Sequence, residues 1–358
     1  MQPSSLIVIA VDGLRASALG AYGNTWYGTR AIDRLASDST VFDQFLLDSH
    51  GPETFYDFSQ VGQLAESLSG QDYSALLVTD SPAIRGLPMA GQFDRVCLSP
   101  MADPTEAASE AVETAGAATL ALMLDQVEQT SEGAPVFVWT HLRFAAGPWD
   151  APPALVEELL SEEDPEIPLT VDAPSSGDSQ AGDDEAFLAS ARYAAQVLAL
   201  DACLGAVAAA LDELRGDSRY TLALLGVRGC SLGEHGRLRI EDTRPYAEMR
   251  HAPLIVRTTA GNRHRRVASI ATPADLCSLL VGIDNLDDSL GERAGVLLRS
   301  PEGDAWQNDE WKLVTHLNGP PELYSKPDDR WEVNDVAVRH EHVVEELQHS
   351  LIVAAQKK

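Results

Sequence analysis

Apolar positions along the chain fall into two recurring patterns. Short unbroken runs at Leu6–Val11, Ala75–Thr79, Pro135–Thr140, Thr221–Gly226 and Pro253–Arg257 are rich in Val, Ile and Leu, and they predict strands buried on both faces. Stretches with helical spacing lie between them, at Ile32–Ser37, Glu106–Glu128, Phe187–Leu214 and Pro273–Val281. In the third, Val197, Leu200, Leu204, Val207, Leu211 and Leu214 recur every three or four residues, which gives one helix side a continuous apolar stripe. Strands alternating with helices predict an α/β sandwich, doubly wound, with a mostly parallel central sheet.

The pattern changes after about residue 290. Trp311–His316 and Glu322–Tyr324 predict two short strands across a turn at Asn318-Gly319-Pro320, and Glu341–Ala354 predicts an amphipathic helix. The expected organisation is an α/β domain over 1–289 and a small α+β subdomain over 290–358. From Phe144 to Ala191 there is no Lys or Arg, while acids, Pro and Ser are dense. That stretch predicts a solvated excursion over one edge of the sheet. No internal repeat is found.

Composition narrows the functional classes. With 358 residues and 44% hydrophobic content, the chain has enough apolar material for a large packed core. The 55 acidic and 26 basic residues give a formal charge of −29. Such a surface repels nucleic acid phosphates and anionic membranes, so neither is an expected partner. Cys97, Cys203, Cys230 and Cys277 are scattered with no CxxC pair, which argues against zinc or a disulfide framework and for buried free thiols. The opening MQPSSLIVIAVDGLR has an apolar run too short for a secretory leader or a membrane span, so the expected location is cytoplasmic.

Ligands in open α/β folds sit at the carboxyl ends of strands. There the first predicted strand carries Asp12-Gly13 and the fourth carries Val227-Arg228. Several blocks around these positions resemble one family. IVIAVDGLRASALGAYGN followed by IDRLASDSTVFDQF resembles the N-terminal block of sulfatases in the alkaline phosphatase superfamily. SLGEHG followed by PYAEMRHAPLIVR, and EWKLV followed by ELYSKPDDRWEVNDVA, resemble later blocks of that family in the same order. The resemblance implies an alkaline-phosphatase-like α/β/α sandwich and a sulfuric-ester hydrolase. It also implies calcium between an acidic pair and a later Asp-His or Asp-Asn pair, with a formylglycine nucleophile made in a C/S-x-P-x-R motif.

The chain departs from that pattern at the chemistry itself. Asp12 matches the first expected metal ligand, but Gly13 stands in the second place, and Val227 and Arg228 occupy the later pair. FLLDSHGPETFYDFS, in the nucleophile region, has no Cys and no C/S-x-P-x-R motif. RLRIEDTR stands where the family carries a Lys. A guanidinium about 4 Å from a dication is repelled by roughly 8 kcal/mol at an effective dielectric near 20. No cofactor is therefore expected, and Asp12 is read either as a strand-end cap or as the ion-pair partner of Arg228.

Three readings stay open. In the first, the cleft is degenerate and holds an anionic small molecule (a sulfate ester or sulfated sugar) or a protein partner. In the second, the chain is a metal-independent sulfate or phosphate ester hydrolase. Arg228 and Arg239 would then bind the anion, Ser49 or Thr54 would be the nucleophile, and His50 or His141 would assist. The third is a scaffold without chemistry. His235, in GEHG, is a further catalytic candidate, set against a role in loop architecture that the tight turns suggested by Gly233 and Gly236 favour.

Overall fold

The computed structural model describes residues 4–101, 103–130, 135–168, 170–174, 182–216, 218–259, 264–283, 290 and 293–356. Its centre is an eight-stranded sheet. In chain order the strands are β1 (Ser5–Asp12), β2 (Thr40–Phe42), β3 (Ser74–Thr79), β4 (Arg95–Leu98), β5 (Val136–Leu142), β6 (Tyr220–Arg228), β7 (Leu254–Thr258) and β8 (Arg265–Val267). In space they run β8-β2-β7-β6-β1-β5-β3-β4. The block from β6 to β4 is parallel, whereas β7 lies antiparallel to both β6 and β2. This is the alkaline-phosphatase-like sandwich the sequence predicts.

β1 shows why the sheet is covered on both sides. Successive side chains of a strand point to opposite faces. Ile7, Ile9 and Val11 enter one core with α1 (Arg30–Ser37), α4 (Ala115–Glu128) and α5 (Asp183–Arg215). Leu6, Val8 and Ala10 enter the other, with α2 (Pro52–Ser59), α3 (Val61–Ser69) and α6 (Leu276–Gly282). Each fully buried Ile, Val or Leu there contributes about 1.5–3 kcal/mol. α5 is long and apolar enough to cross a membrane, but its stripe Val197, Leu200, Leu204, Val207 and Leu211 packs against the sheet. The stripe stops at Leu211, because Leu214 is exposed.

Two expectations need correction. The helix expected over Glu106–Glu128 begins only at Ala115, where the Thr114 hydroxyl accepts the Ala117 amide as an N-cap. The basic-free stretch from Phe144 is not wholly a solvated excursion. Phe144, Trp149 and Ala151 are core residues, and buried Asp150 accepts the Ala115 amide at 2.7 Å and the Gln196 side chain at 3.2 Å.

The C-terminal subdomain is a four-stranded antiparallel sheet, Val296–Leu298, Ala305–Gln307, Trp311–Val314 and Glu322–Ser325, with α7 (Glu341–Gln356) on one face. Leu298, Val314 and Tyr324 on the opposite face pack against Leu46, Tyr246 and Ile270 of the main domain.

Candidate functional site

A cleft of about 410 Å³ opens at the carboxyl ends of β1, β5 and β6. Asp12, His141 and Arg228 come from the ends of these three strands. The far wall is the first turn of α2, with Pro52, Glu53 and Thr54. Pro at the first helical position and an extended Gly51 before it start this helix.

Arg228 closes on Asp12 like a fork. Its Nε donates to Asp12 Oδ1 at 2.9 Å and its Nη2 donates to Oδ2 at 2.8 Å. The local backbone makes this possible. The β1–β6 register slips between Val11 and Asp12, so Val11 faces Gly226 while Asp12 faces Arg228, past Val227. Val227 is fully buried in the apolar core beneath the cleft. Asp12 is 4% exposed and the Arg228 side chain 11%, so solvent screens the pair weakly. Burial opposes the charge on Arg228, but Asp12 outweighs it and holds the guanidinium pKa above its usual range. Arg228 Nη1 also lies 3.8 Å from exposed Glu241.

His141 is buried, and its ring is fixed from behind. Trp139 Nε1 donates to the Tyr56 hydroxyl at 2.9 Å, and that hydroxyl lies 2.8 Å from His141 Nδ1. No other acceptor for the Tyr56 proton is present among the described residues. The network therefore assigns Nδ1 as acceptor and puts the imidazole proton on Nε2. Burial pushes the His141 pKa down to about 4; Asp12 opposes this, and Arg228 and Arg143 add to it. At neutral pH the ring is uncharged.

Sequence reasoning missed Arg143, Asp80 and Tyr56. Arg143 follows β5 and lines the cleft. Its amide donates to Asp80 Oδ1 at 3.0 Å and its guanidinium pairs with Asp103. Burial pushes the Asp80 carboxyl up to about 6 against the pull of Arg143. Adjacent signals existed, an acid ending the strand in LLVTD and a cation in WTHLRF, but only the fold joins them.

The other expected site residues scatter. Thr54 lines the cleft, yet its hydroxyl donates to the Gly51 carbonyl at 3.1 Å and accepts the His50 amide at 3.3 Å. His50 also lines the cleft and is exposed; partial burial and Arg250 lower its pKa. Ser49 does not reach the cleft, because its side chain is buried and its carbonyl is held by Arg250. Arg239 also lies outside the cleft lining and donates to the Glu241 carbonyl at 2.9 and 2.7 Å. His235 lies outside the cleft lining. Its Nδ1 lies 2.9 Å from Glu248, its Nε2 lies 3.0 Å from the Glu332 carbonyl, and its ring stacks on Tyr246 at 3.7 Å.

The residues present do not fit a calcium ion. Both oxygens of Asp12 are occupied by Arg228, and no group of three or more His, Cys, Asp or Glu among the described residues is placed to hold a metal. The second expected ligand position is closed by backbone. Gly13 sits at φ +84°, and a Cβ there would lie 2.4 Å from the Ala145 carbonyl carbon and 2.5 Å from the Ala146 amide nitrogen. The electrostatics of the cleft are no more inviting to an anion. Arg143 and Arg228 face Asp12, Glu53 and Glu241 across the lining, so carboxylates outnumber guanidiniums.

No family model matches the sequence, and no curated protein matches it. Solved structures do match. The phosphonate monoester hydrolase of Agrobacterium radiobacter is 16% identical with a TM-score of 0.74, covering 98% of this chain and 95% of its own. A structure in complex with its substrate D-glucosamine-2-N,6-O-disulfate is 14% identical with a TM-score of 0.74, covering 99% and 97%. A 2-O GAG sulfatase is 14% identical with a TM-score of 0.71, covering 99% and 92%. At these identities the likeness is one of fold, and it extends over nearly the whole chain.

Proposed function

We propose that this protein is a sulfatase-fold protein whose strand-end cleft no longer hydrolyses sulfate esters and serves as a non-catalytic binding surface. The observation that carries the reading is the forked Arg228–Asp12 pair. It stands where the sequence resemblance places a divalent cation and satisfies the one carboxylate left from that set with an internal charge. Calcium would stabilise a sulfate's developing negative charge there and polarise its S–O bonds. Neither the donor set nor the closed backbone at Gly13 accommodates it.

Nucleophilic catalysis lacks parts as well. A hydroxyl needs an adjacent base to become a competent nucleophile. Thr54, the candidate hydroxyl that reaches the cleft, is bonded to its own backbone turn, and the buried proton acceptor of His141 is taken by Tyr56. Under this reading, His141 Nε2–H and the first-turn amides of α2 present donors to a bound molecule. The carboxylate excess favours a polar ligand of low charge over a sulfate dianion at this cleft.

One experiment decides. The purified full chain is assayed for bound metal by elemental analysis and for turnover of 4-nitrophenyl sulfate and 4-nitrophenyl phosphate. The expected result is substoichiometric calcium and no turnover above that of the Arg228→Gln variant. One calcium per chain, or turnover abolished in that variant, overturns the proposal.

A further inference from the structure

A second cavity, also of about 410 Å³, lies between the main sheet and the C-terminal subdomain and shares no lining residue with the cleft. Its charge is opposite to that of the molecule. Arg250, Arg266, Lys312, Lys326 and Arg330 line it against Asp43 and Glu332. The lining thus carries an excess of positive charge in a chain of net −29.

The two acids do not neutralise the five cations. Asp43 is taken by Arg266, whose Nε lies 2.8 Å away. Glu332 is shared by two ammoniums, Lys312 at 2.8 and 3.0 Å and Lys326 at 2.7 Å. Among the described residues Arg250 makes no ion pair: its guanidinium donates to the carbonyls of Ser49, Thr243 and Arg299, its buried Nε has no acceptor, and the more distant carboxylates of Asp48, Asp242 and Asp304 do not outweigh its burial. Among the described residues Arg330 meets no carboxylate: it donates to the carbonyls of Tyr22 and Gly23, each at 3.3 Å, and lies over the Trp331 ring at 4.9 Å. Arg250 is 1% exposed and Lys312 fully buried. Burial pushes Arg250 down to about 10 and Lys312 down to about 8, which is how under-neutralised buried cations behave. Uncompensated charge out of water is costly, and an anion in the cavity would offset that cost. Leu46, Ala268 and Pro327 leave an apolar strip of wall for a small organic body.

We propose that this interdomain cavity is a binding site for a small molecule bearing a phosphate or sulfate group, held by the Arg330 and Arg266 guanidiniums at its mouth and the Lys312–Lys326 pair within. Forked guanidiniums match the tetrahedral oxyanion geometry, and the volume suits a small metabolite. The proposal is independent of what happens in the cleft.

The test is calorimetric titration of the full chain with inorganic phosphate and, separately, inorganic sulfate, at constant ionic strength set by chloride. Saturable binding is expected for at least one anion, and the stronger of the two identifies which group the site prefers. Arg330→Gln should weaken it about tenfold. Asp43→Asn, which removes a competing acid, should tighten it, while Arg143→Gln in the cleft should leave it unchanged. Both probed cavity residues are at the surface side, so the variants keep the fold, and circular dichroism checks this. Absence of saturable binding, indifference to both cavity variants, or loss on Arg143→Gln would overturn the assignment.

Discussion

Replacing Arg228 by Met is the most revealing single perturbation of the cleft. The change keeps much of the aliphatic stem but strips Asp12 of both hydrogen-bond donors in a site where the carboxylate is 4% exposed. Two unit charges about 4 Å apart attract by about 4 kcal/mol at an effective dielectric of 20. Removing one partner of a buried pair costs about 3–5 kcal/mol, because the survivor is left desolvated. Asp12→Leu should cost somewhat less, since Arg228 Nη1 retains Glu241 at 3.8 Å on the solvent side. The double variant Asp12→Leu, Arg228→Met leaves no stranded charge, so it should lose no more than either single change, and the two effects should be coupled by at least ~3 kcal/mol. Urea unfolding followed by tryptophan fluorescence, with midpoint and slope fitted together at one salt concentration, measures all four corners of the cycle. If Arg228→Met costs under about 1 kcal/mol, or if the single losses simply add in the double variant, the pair is not the internal charge described here.

Three further outcomes follow from neighbouring groups. The His141 ring should give the NMR signature of a neutral Nε2–H tautomer from pH 8 to pH 5, because burial pushes its pKa down to about 4; an imidazolium signal at pH 6 would contradict the Tyr56 network. Tyr56→Phe removes the shared partner of Trp139 and His141 and should destabilise by about 2–4 kcal/mol in thermal or urea unfolding, one to two buried groups' worth of lost hydrogen bonding. Asp80 has its folded pKa raised to about 6, so its stability contribution is full below the unfolded value near 4 and is lost as pH rises to about 6; Asp80→Asn should flatten that part of the stability–pH curve, and an unchanged slope would be evidence against it.

Long-range periodicity made the sheet readable in advance. All five buried runs are strands, and the helical stripe of α5 packs as its spacing implies. The short strands β2, β4 and β8 have three or four residues each, too few for a periodic signal, and they exist because neighbouring backbone offers hydrogen bonds. The Asp12–Arg228 pair was legible because both residues occupy strand ends that one resemblance places at one site. Arg143, Asp80 and Tyr56 were not, because nothing local marks a cation that lines the cleft, or the acid and the phenol that hold Arg143 and His141 from separate elements. His235 is the opposite case. GEHG looks like chemistry in sequence, but its ring nitrogens are committed to Glu248 and to a carbonyl of the C-terminal subdomain.

The tight approach of Gly13 to the 145–146 backbone bars any one-residue route from this cleft to a cation centre. An acid at 13 would collide with main chain that cannot swing aside like a flexible side chain, so it must wait for that loop to be rebuilt. A carboxylate at 227 would sink into hydrocarbon, and taking away the guanidinium first would strand Asp12. Each single step toward a cation centre is therefore uphill when taken alone, and a designer who wants calcium here has to graft loop and ligands together in a single move.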